Sequence, residues 1–169
     1  MLVAMKLMAI AAWFACSLLG LDWGPAQFLV GNWAGEGGGQ PGQGSGAFSF
    51  SPDLQGTILV RRSFAEYPPA GGRPASRHDD LMIVYRDAAT RALRATYFDS
   101  EEHVIHYTVE PAGVGVVFVS EGPPSGTRFR MTYTSTGKDT LKFKFEIAAP
   151  GKEFAPYVEA AAHRDKGGK

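Results

Sequence analysis

The chain is short of cysteine, of excess charge and of any long apolar span, and each shortage removes a class of explanation. Its only cysteine is Cys16, so no intramolecular disulfide can staple the fold, and a cysteine-based metal site is excluded. Lys and Arg together number 17, as do Asp and Glu, for a formal charge of zero. A nucleic-acid footprint would need basic residues in excess on one face, and none is indicated. The chain has no Gly-x-Ser-x-Gly, no His-Glu-x-x-His and no phosphate-cradling loop that leads into a helix, so the usual signatures of a nucleophile elbow, a zinc peptidase or a nucleotide cradle are missing. Gly35-Glu36-Gly37-Gly38-Gly39 is rich in glycine, but no helix follows to lend its dipole to a phosphate. No internal repeat is evident. Beyond Gly31 no segment of convincing length carries the helical period.

What is present suits short strands and tight turns. The 169 residues fit one domain, and 21 Gly, 11 Pro, 11 Phe, 6 Tyr and 3 Trp are the composition of a β protein. Residues 1–20 differ from the rest. Lys6 precedes the apolar run Leu7 to Leu19, with no further charge until Asp22. One positive charge and an apolar stretch too short to span a bilayer comfortably read as a secretory signal. The alternatives are a helix covering one end of the fold or a retained membrane anchor. Trp13-Phe14-Ala15-Cys16-Ser17 places a small residue before a cysteine, as bacterial lipoprotein signals do, so lipid anchoring at Cys16 is a further option. The protein is thus expected to be exported, periplasmic or secreted, and to meet a membrane only through this segment.

Asp22 to Val30 is expected to form a short helix or turn, with Asp22 as N-cap and Gly31 as its stop. Strand alternation then takes over. Segments at Asn32–Gly38, Ala47–Ser51, Thr57–Tyr67, His78–Tyr85, Leu93–Phe98, Val104–Glu110, Val114–Val119, Arg128–Tyr133, Leu141–Ile147 and Phe154–Arg164 make about ten strands, punctuated by Gly- and Pro-bearing turns. The continuous apolarity of Val114–Val119 suggests burial on both faces. Short connections favour an up-and-down meander closing into one antiparallel barrel, wide enough for one small ligand where side chains leave room. A β-sandwich is the alternative.

Several polar residues invite a chemical reading. Arg61 and Arg62 are adjacent in a strand, so one must face each side. If Arg62 joins Ile58, Val60 and Phe64 inside, it needs a carboxylate partner (Asp80, Asp99 or Glu66) or an anionic ligand. His103 and His106 point to opposite faces unless His103 lies in a turn, and cannot chelate one ion together. His106 is either a lining residue or a hydrogen-bonded surface histidine, and with Asp99 it could form an acid–base pair. His78-Asp79-Asp80 reads as a metal cluster or, more ordinarily, as a solvated rim. Tyr85, Tyr97, Tyr107, Tyr133 and Tyr157 offer rings to an apolar ligand and hydroxyls to orient it, or simply fill a core.

Gly31-Asn32-Trp33 near the start and Arg164 at the end resemble the lipocalin-like (calycin) barrels. In those folds Gly-x-Trp opens the first strand and an arginine of the last strand packs over the indole, closing the barrel bottom. Leu29-Val30-Gly31-Asn32-Trp33-Ala34-Gly35-Glu36-Gly37 is similar to the opening Leu-x-Gly-x-Trp-x-Gly-x-Gly of nitrobindin-type heme-binding barrels. The middle, Arg77 to Leu81, Tyr97 to Ser100 and His103 to Tyr107, looks more like uncharacterised bacterial relatives of the class. Nitrobindin-type barrels end in His-Leu-x-Ala-x-Leu-x-Arg, whose histidine ligates heme; here Tyr157 holds that position. A tyrosinate also ligates ferric heme, and the alternative is an aromatic ring filling the barrel.

The resulting expectation is an all-β, lipocalin-like barrel over residues 21–165, with a signal at 1–20 and a flexible tail at 166–169. Its interior would bind a small, largely apolar molecule, lined by Arg62, Tyr85, Tyr97, His106, Tyr133, Phe145 and Tyr157, with Trp33 and Arg164 closing one end. The alternatives are a heme or metal protein of nitrobindin type and a barrel enzyme using His106 and Asp99.

Overall fold

Apolar side chains at every second position need a surface to cover, and ten strands supply one by closing on themselves. The computed structural model describes residues 22–36 and 45–167. The strands are β1 (Gly31–Glu36), β2 (Ser45–Asp53), β3 (Ile58–Tyr67), β4 (Ser76–Arg86), β5 (Leu93–Asp99), β6 (Val104–Ala112), β7 (Gly115–Ser120), β8 (Arg128–Gly137), β9 (Thr140–Ala148) and β10 (Ala155–Arg164). Each pairs antiparallel with its sequence neighbours, and β10 returns to β1, so the meander is a closed barrel with no free edge. The closing seam pairs Trp33 with Arg164 and Gly35 with Ala162, which rules out the sandwich. Gly24–Leu29, the expected N-terminal helix, is a short 3-10 helix. Asp22 accepts a hydrogen bond from the Gly24 amide at 2.8 Å. The proposed signal at 1–20 and Cys16 lie outside the described residues. No helix among the described residues is long and apolar enough to cross a membrane.

The pairing register decides which side chains share a face. Gly31, Trp33, Phe48, Phe50, Arg61 and Met82 fall on the inner face, linked through Gly31↔Phe50, Trp33↔Phe48, Phe50↔Arg61 and Arg61↔Met82. The same parity carries Tyr97, Ile105, Tyr107, Phe118, Met131, Tyr133, Phe143 and Phe145 inward around the rest of the barrel. In β7, Val116 and Phe118 are buried while Val117 and Val119 are only partly covered. Val114 lies in the preceding turn and is 72% exposed, so the run is buried on its inner face and not on both faces as expected.

The two barrel ends are built differently. At the lower end, where β1 begins and β10 finishes, the 3-10 helix buries Trp23, Ala26 and Leu29 beside β6 and β7. The Trp33 indole donates to the Leu29 carbonyl at 2.8 Å. The Arg164 guanidinium lies 4.3 Å from a Trp33 ring centroid and donates to the Val30 and Phe28 carbonyls at 2.8 and 3.2 Å. Gly31 has a positive φ of 129°, and a β-carbon there would collide with that guanidinium; only glycine leaves the space. The Gly-x-Trp is therefore a sealing device tying both chain ends together. Above it the rings of Phe48, Phe50, Phe118 and Phe143 pack around Tyr133, with centroids 5.0 to 5.9 Å away, in the tilted and edge-on arrangements aromatic quadrupoles favour.

Candidate functional site

The inner face changes character along the barrel axis. In the lower half Leu59, Val84, Ala95, Tyr107, Val109, Val116, Phe118, Tyr133 and Leu141 are all buried. In the upper half, residues that the register also places inside remain partly exposed: Ser63, Ala65, Tyr67, His78, Tyr97, Ile105, Phe129, Phe145, Val158 and Ala160. A side chain that points inward yet meets solvent borders a space that solvent enters. The inner face is thus packed below, while its upper residues remain partly exposed. Its rim carries Tyr157, which sits in a β10 bulge between Pro156 and Val158. The residue is 48% exposed, and its ring stands edge-on to Phe145 at 6.0 Å. Phe145 in turn stacks on Phe129 at 6.0 Å.

Polar groups run down one wall of this space. Arg61 forms an ion pair with Asp80, both side chains being under a tenth exposed. Burial opposes the guanidinium's charge, but Asp80, Tyr133 and Tyr97 together hold its pKa above the ordinary arginine value. A buried pair of this kind sits at a large desolvation cost and persists because each ion neutralises the other. Arg61 Nε and the Tyr133 hydroxyl are both buried, and neither completes a hydrogen bond of normal geometry among the described residues. Burial, and next Asp80, push the Tyr97 hydroxyl well above its usual range; burial does the same for Tyr107 and Tyr133. These phenols therefore stay protonated at neutral pH.

Nearer the mouth, His78 Nε2 lies 3.0 Å from the Tyr97 hydroxyl and His78 Nδ1 lies 3.2 Å from Glu101 Oε1. The same Nε2 is 3.9 Å from Asp80. Asp99, also inward, is occupied by its own turn: it accepts from the Glu101 and His103 amides at 2.9 and 3.0 Å and from His103 Nδ1 at 2.9 Å. Burial works against its ionisation, but these bonds, led by the His103 amide, keep its pKa below the usual aspartate value.

Of the expected lining residues, Tyr97 and Phe145 face the upper interior, Tyr157 stands at its rim, and Tyr133 points inward but is fully buried in the packed lower half. Arg62, Tyr85 and His106 do not point inward. The pairings Arg62↔Leu81, Ile58↔Tyr85 and Thr96↔His106 place all three on the outer face. Arg62 and His106 are exposed there, and His106 Nδ1 lies 3.2 Å from the Thr96 hydroxyl. The reason is that β3 is apolar on both faces: Ile58, Val60 and Phe64 look outward while Leu59 and Arg61 look inward, so composition alone does not choose the frame. His106 and Asp99 are on opposite sides of the wall, and the acid–base pair they were expected to form does not exist. The solvated-rim reading of His78-Asp79-Asp80 holds only for Asp79, which pairs outside with Arg77 at 2.9 Å; His78 and Asp80 face inward.

Sequence reasoning missed Arg61, His78, Asp80 and Glu101 as a group. The available signal was the Arg61-Arg62 doublet together with a carboxylate two residues from His78, but strand pairing was needed to join them. Among the described residues no cluster of three or more His, Cys, Asp or Glu could hold a metal ion. An open groove over β1 to β5 is walled by the outward Arg62, Phe64, Arg77, Leu81 and Phe98 and is also bordered by the inward Trp33, Phe48, Ser63, Asp80 and Asp99. Arg77 lies over the Phe64 ring at 4.3 Å and pairs with Glu66 at 2.6 Å, so this face is an ion-paired surface rather than an enclosure. Comparison with protein-family models gives no match to this chain, and comparison with curated proteins gives none either.

Proposed function

We propose that this is a lipocalin-like barrel that binds a small, largely apolar molecule in the upper half of its interior. The observation that carries the reading is the gradient along the inner face: buried aliphatic and aromatic residues below, partly exposed inward-facing rings above. An apolar surface held open inside a closed sheet costs hydrophobic free energy, roughly 25 cal/mol for every Å² left wet. Covering Phe129, Phe145 and Tyr157 with a ligand recovers part of it. A pocket of mostly apolar rings with few polar groups is the common form of a small-molecule site. Export of the protein is part of the same proposal and rests on the run Leu7–Leu19.

The test is titration with the neutral fluorophore N-phenyl-1-naphthylamine, alongside native mass spectrometry of protein purified from its own source. Saturable binding of one probe per chain is expected. Ala160 sits on the inner face of β10 opposite Phe143, so Ala160→Trp should fill the lumen and weaken binding about tenfold, the equivalent of ~1.4 kcal/mol. Absence of both probe binding and any retained adduct would sink the proposal in favour of a barrel that is simply structural.

A further inference from the structure

The geometry points to a polarity in the lumen's hydrogen-bonding wall, and we infer that it selects apolar ligands bearing a hydrogen-bond donor, such as a hydroxyl, over isosteric acceptors. This inference rests on the binding proposed above and specifies its chemistry. Glu101, on the β5–β6 turn, is 65% exposed at its side chain and accepts only. Facing it at 3.2 Å, His78 Nδ1 must carry the proton. In a neutral imidazole the other nitrogen is then an acceptor, so His78 Nε2 receives the Tyr97 O–H at 3.0 Å. The arrangement is the carboxylate–imidazole–hydroxyl relay that orients nucleophiles elsewhere, but here burial keeps the Tyr97 phenol protonated.

Tyr97 has one proton, and a neutral His78 with its Nδ1 hydrogen on Glu101 accepts it at Nε2. His78 is the only hydrogen-bond partner of that hydroxyl among the described residues. What Tyr97 can offer a guest is an oxygen lone pair. The groups that could invert this polarity are Asp80 and Asp99 on the same wall and Arg61 below. Asp80 is engaged by Arg61 through Oδ1 while its Oδ2 lies 3.9 Å from His78 Nε2, and Asp99 is held by its turn; the polarity therefore belongs to the neutral imidazole, and a protonated His78 would reverse it. A ligand hydroxyl or N–H can donate to Tyr97; an ether or ester oxygen meets a second acceptor and must leave its water behind unpaired.

Two isomers separate the cases: 1-decanol, which donates, and methyl nonyl ether, which does not. Both are measured by displacement of N-phenyl-1-naphthylamine. The alcohol should displace the probe at about fivefold lower concentration than the ether, the equivalent of one net hydrogen bond. Tyr97→Phe keeps the ring and should bring the ratio to about one. Glu101→Gln, at an exposed position, removes the charge that fixes the relay and should bring the ratio down part of the way; circular dichroism verifies the barrel in each variant. Equal displacement by the two isomers in the native protein, a preference for the ether, or a preference that survives Tyr97→Phe each overturns the inference while leaving a binding lumen intact. Failure of the probe to bind at all removes the lumen and the inference together.

Discussion

The lower and upper ends of the barrel are made from the same kinds of residue and do opposite things with them. At the lower end an arginine, a tryptophan and three backbone carbonyls satisfy one another: Arg164 covers Trp33 and donates to Val30 and Phe28, and Trp33 donates to Leu29. At the upper end a histidine, tyrosines and carboxylates face inward at partly exposed positions, above the buried Arg61 Nε and Tyr133 hydroxyl, which are left incompletely bonded among the described residues. On the binding reading proposed above, the contrast assigns stability to the lower end and binding to the upper. Sealing one end buries a continuous core. The other end keeps apolar and polar groups available, at a cost the sealed end offsets.

If that division is right, variants of the lower end should change stability and those of the upper end should change binding. The largest effect is expected at the seal. Trp33 is 1% exposed, and Trp33→Ala removes a buried ring, the cation over it and the Leu29 hydrogen bond. A loss of about 4 kcal/mol in urea-induced unfolding is expected, within the range of large aromatic truncations. The folded fraction should still bind the fluorescent probe with its normal affinity. Full stability with lost binding would reverse the assignment of the two ends.

Next in size is the Arg61–Asp80 pair at the boundary between the halves. Asp80→Ala strands a buried guanidinium and should cost about 3 kcal/mol, whereas Arg61→Met combined with Asp80→Leu should lie within about 1 kcal/mol of the native protein or above it. The same chemical denaturation reads both. A double variant as unstable as the single one would mean that the pair contributes more than mutual neutralisation.

The pair also marks where the sequence stops being informative. The ten strands and their turns were legible, because alternation of period two and Gly- or Pro-bearing turns are local signals. Segments such as Leu141 to Ile147 declare their own faces. The pairing of Trp33 with Arg164 could be expected from a resemblance of motifs at the two chain ends. The parity of β3 could not. Ile58, Val60 and Phe64 on one face and Leu59 on the other are equally apolar, and the Arg61-Arg62 doublet states only that one guanidinium enters. Which one does depends on the register with Phe50 and Met82, a non-local fact. His78 and Asp80 were hidden for a related reason: they follow a loop, where solvated residues are the rule, and their inward direction is set by pairing with Ala65 and Ser63.

A smaller effect is expected from acid. Hydrogen bonds from Arg130 hold the pKa of Glu146 below its usual value against the opposing effect of burial, and Asp99 is depressed through its turn. A carboxylate with a depressed native pKa contributes stability that is fully present above its unfolded pKa and disappears as pH falls through the native one. Thermal unfolding should therefore be flat above about pH 5 and decline below it. Glu146→Gln should flatten part of that decline. Because Glu146 lies on the outer face beside Arg130 and Lys144, probe binding should not follow the variant. Coupling of the two would tie the outer ion cluster to the lumen.

The smallest effect on stability, and the most direct test of the contrast, belongs to Tyr157. Tyr157 is 48% exposed and stands edge-on to Phe145. Surface truncations of this kind change stability by no more than about 0.5 kcal/mol. If the ring closes over a bound guest, Tyr157→Ala loses one aromatic contact worth roughly 0.5–1.5 kcal/mol, which is a weakening of probe binding by about two- to tenfold. Tyr157→Phe keeps the ring and should bind as the native protein does, since no hydrogen bond of the hydroxyl is found among the described residues. The two substitutions together distinguish a ring that covers a ligand from one that holds the barrel. Coverage predicts lost binding at constant stability for alanine and nothing for phenylalanine, whereas a structural ring predicts a fall in unfolding free energy that probe binding merely follows.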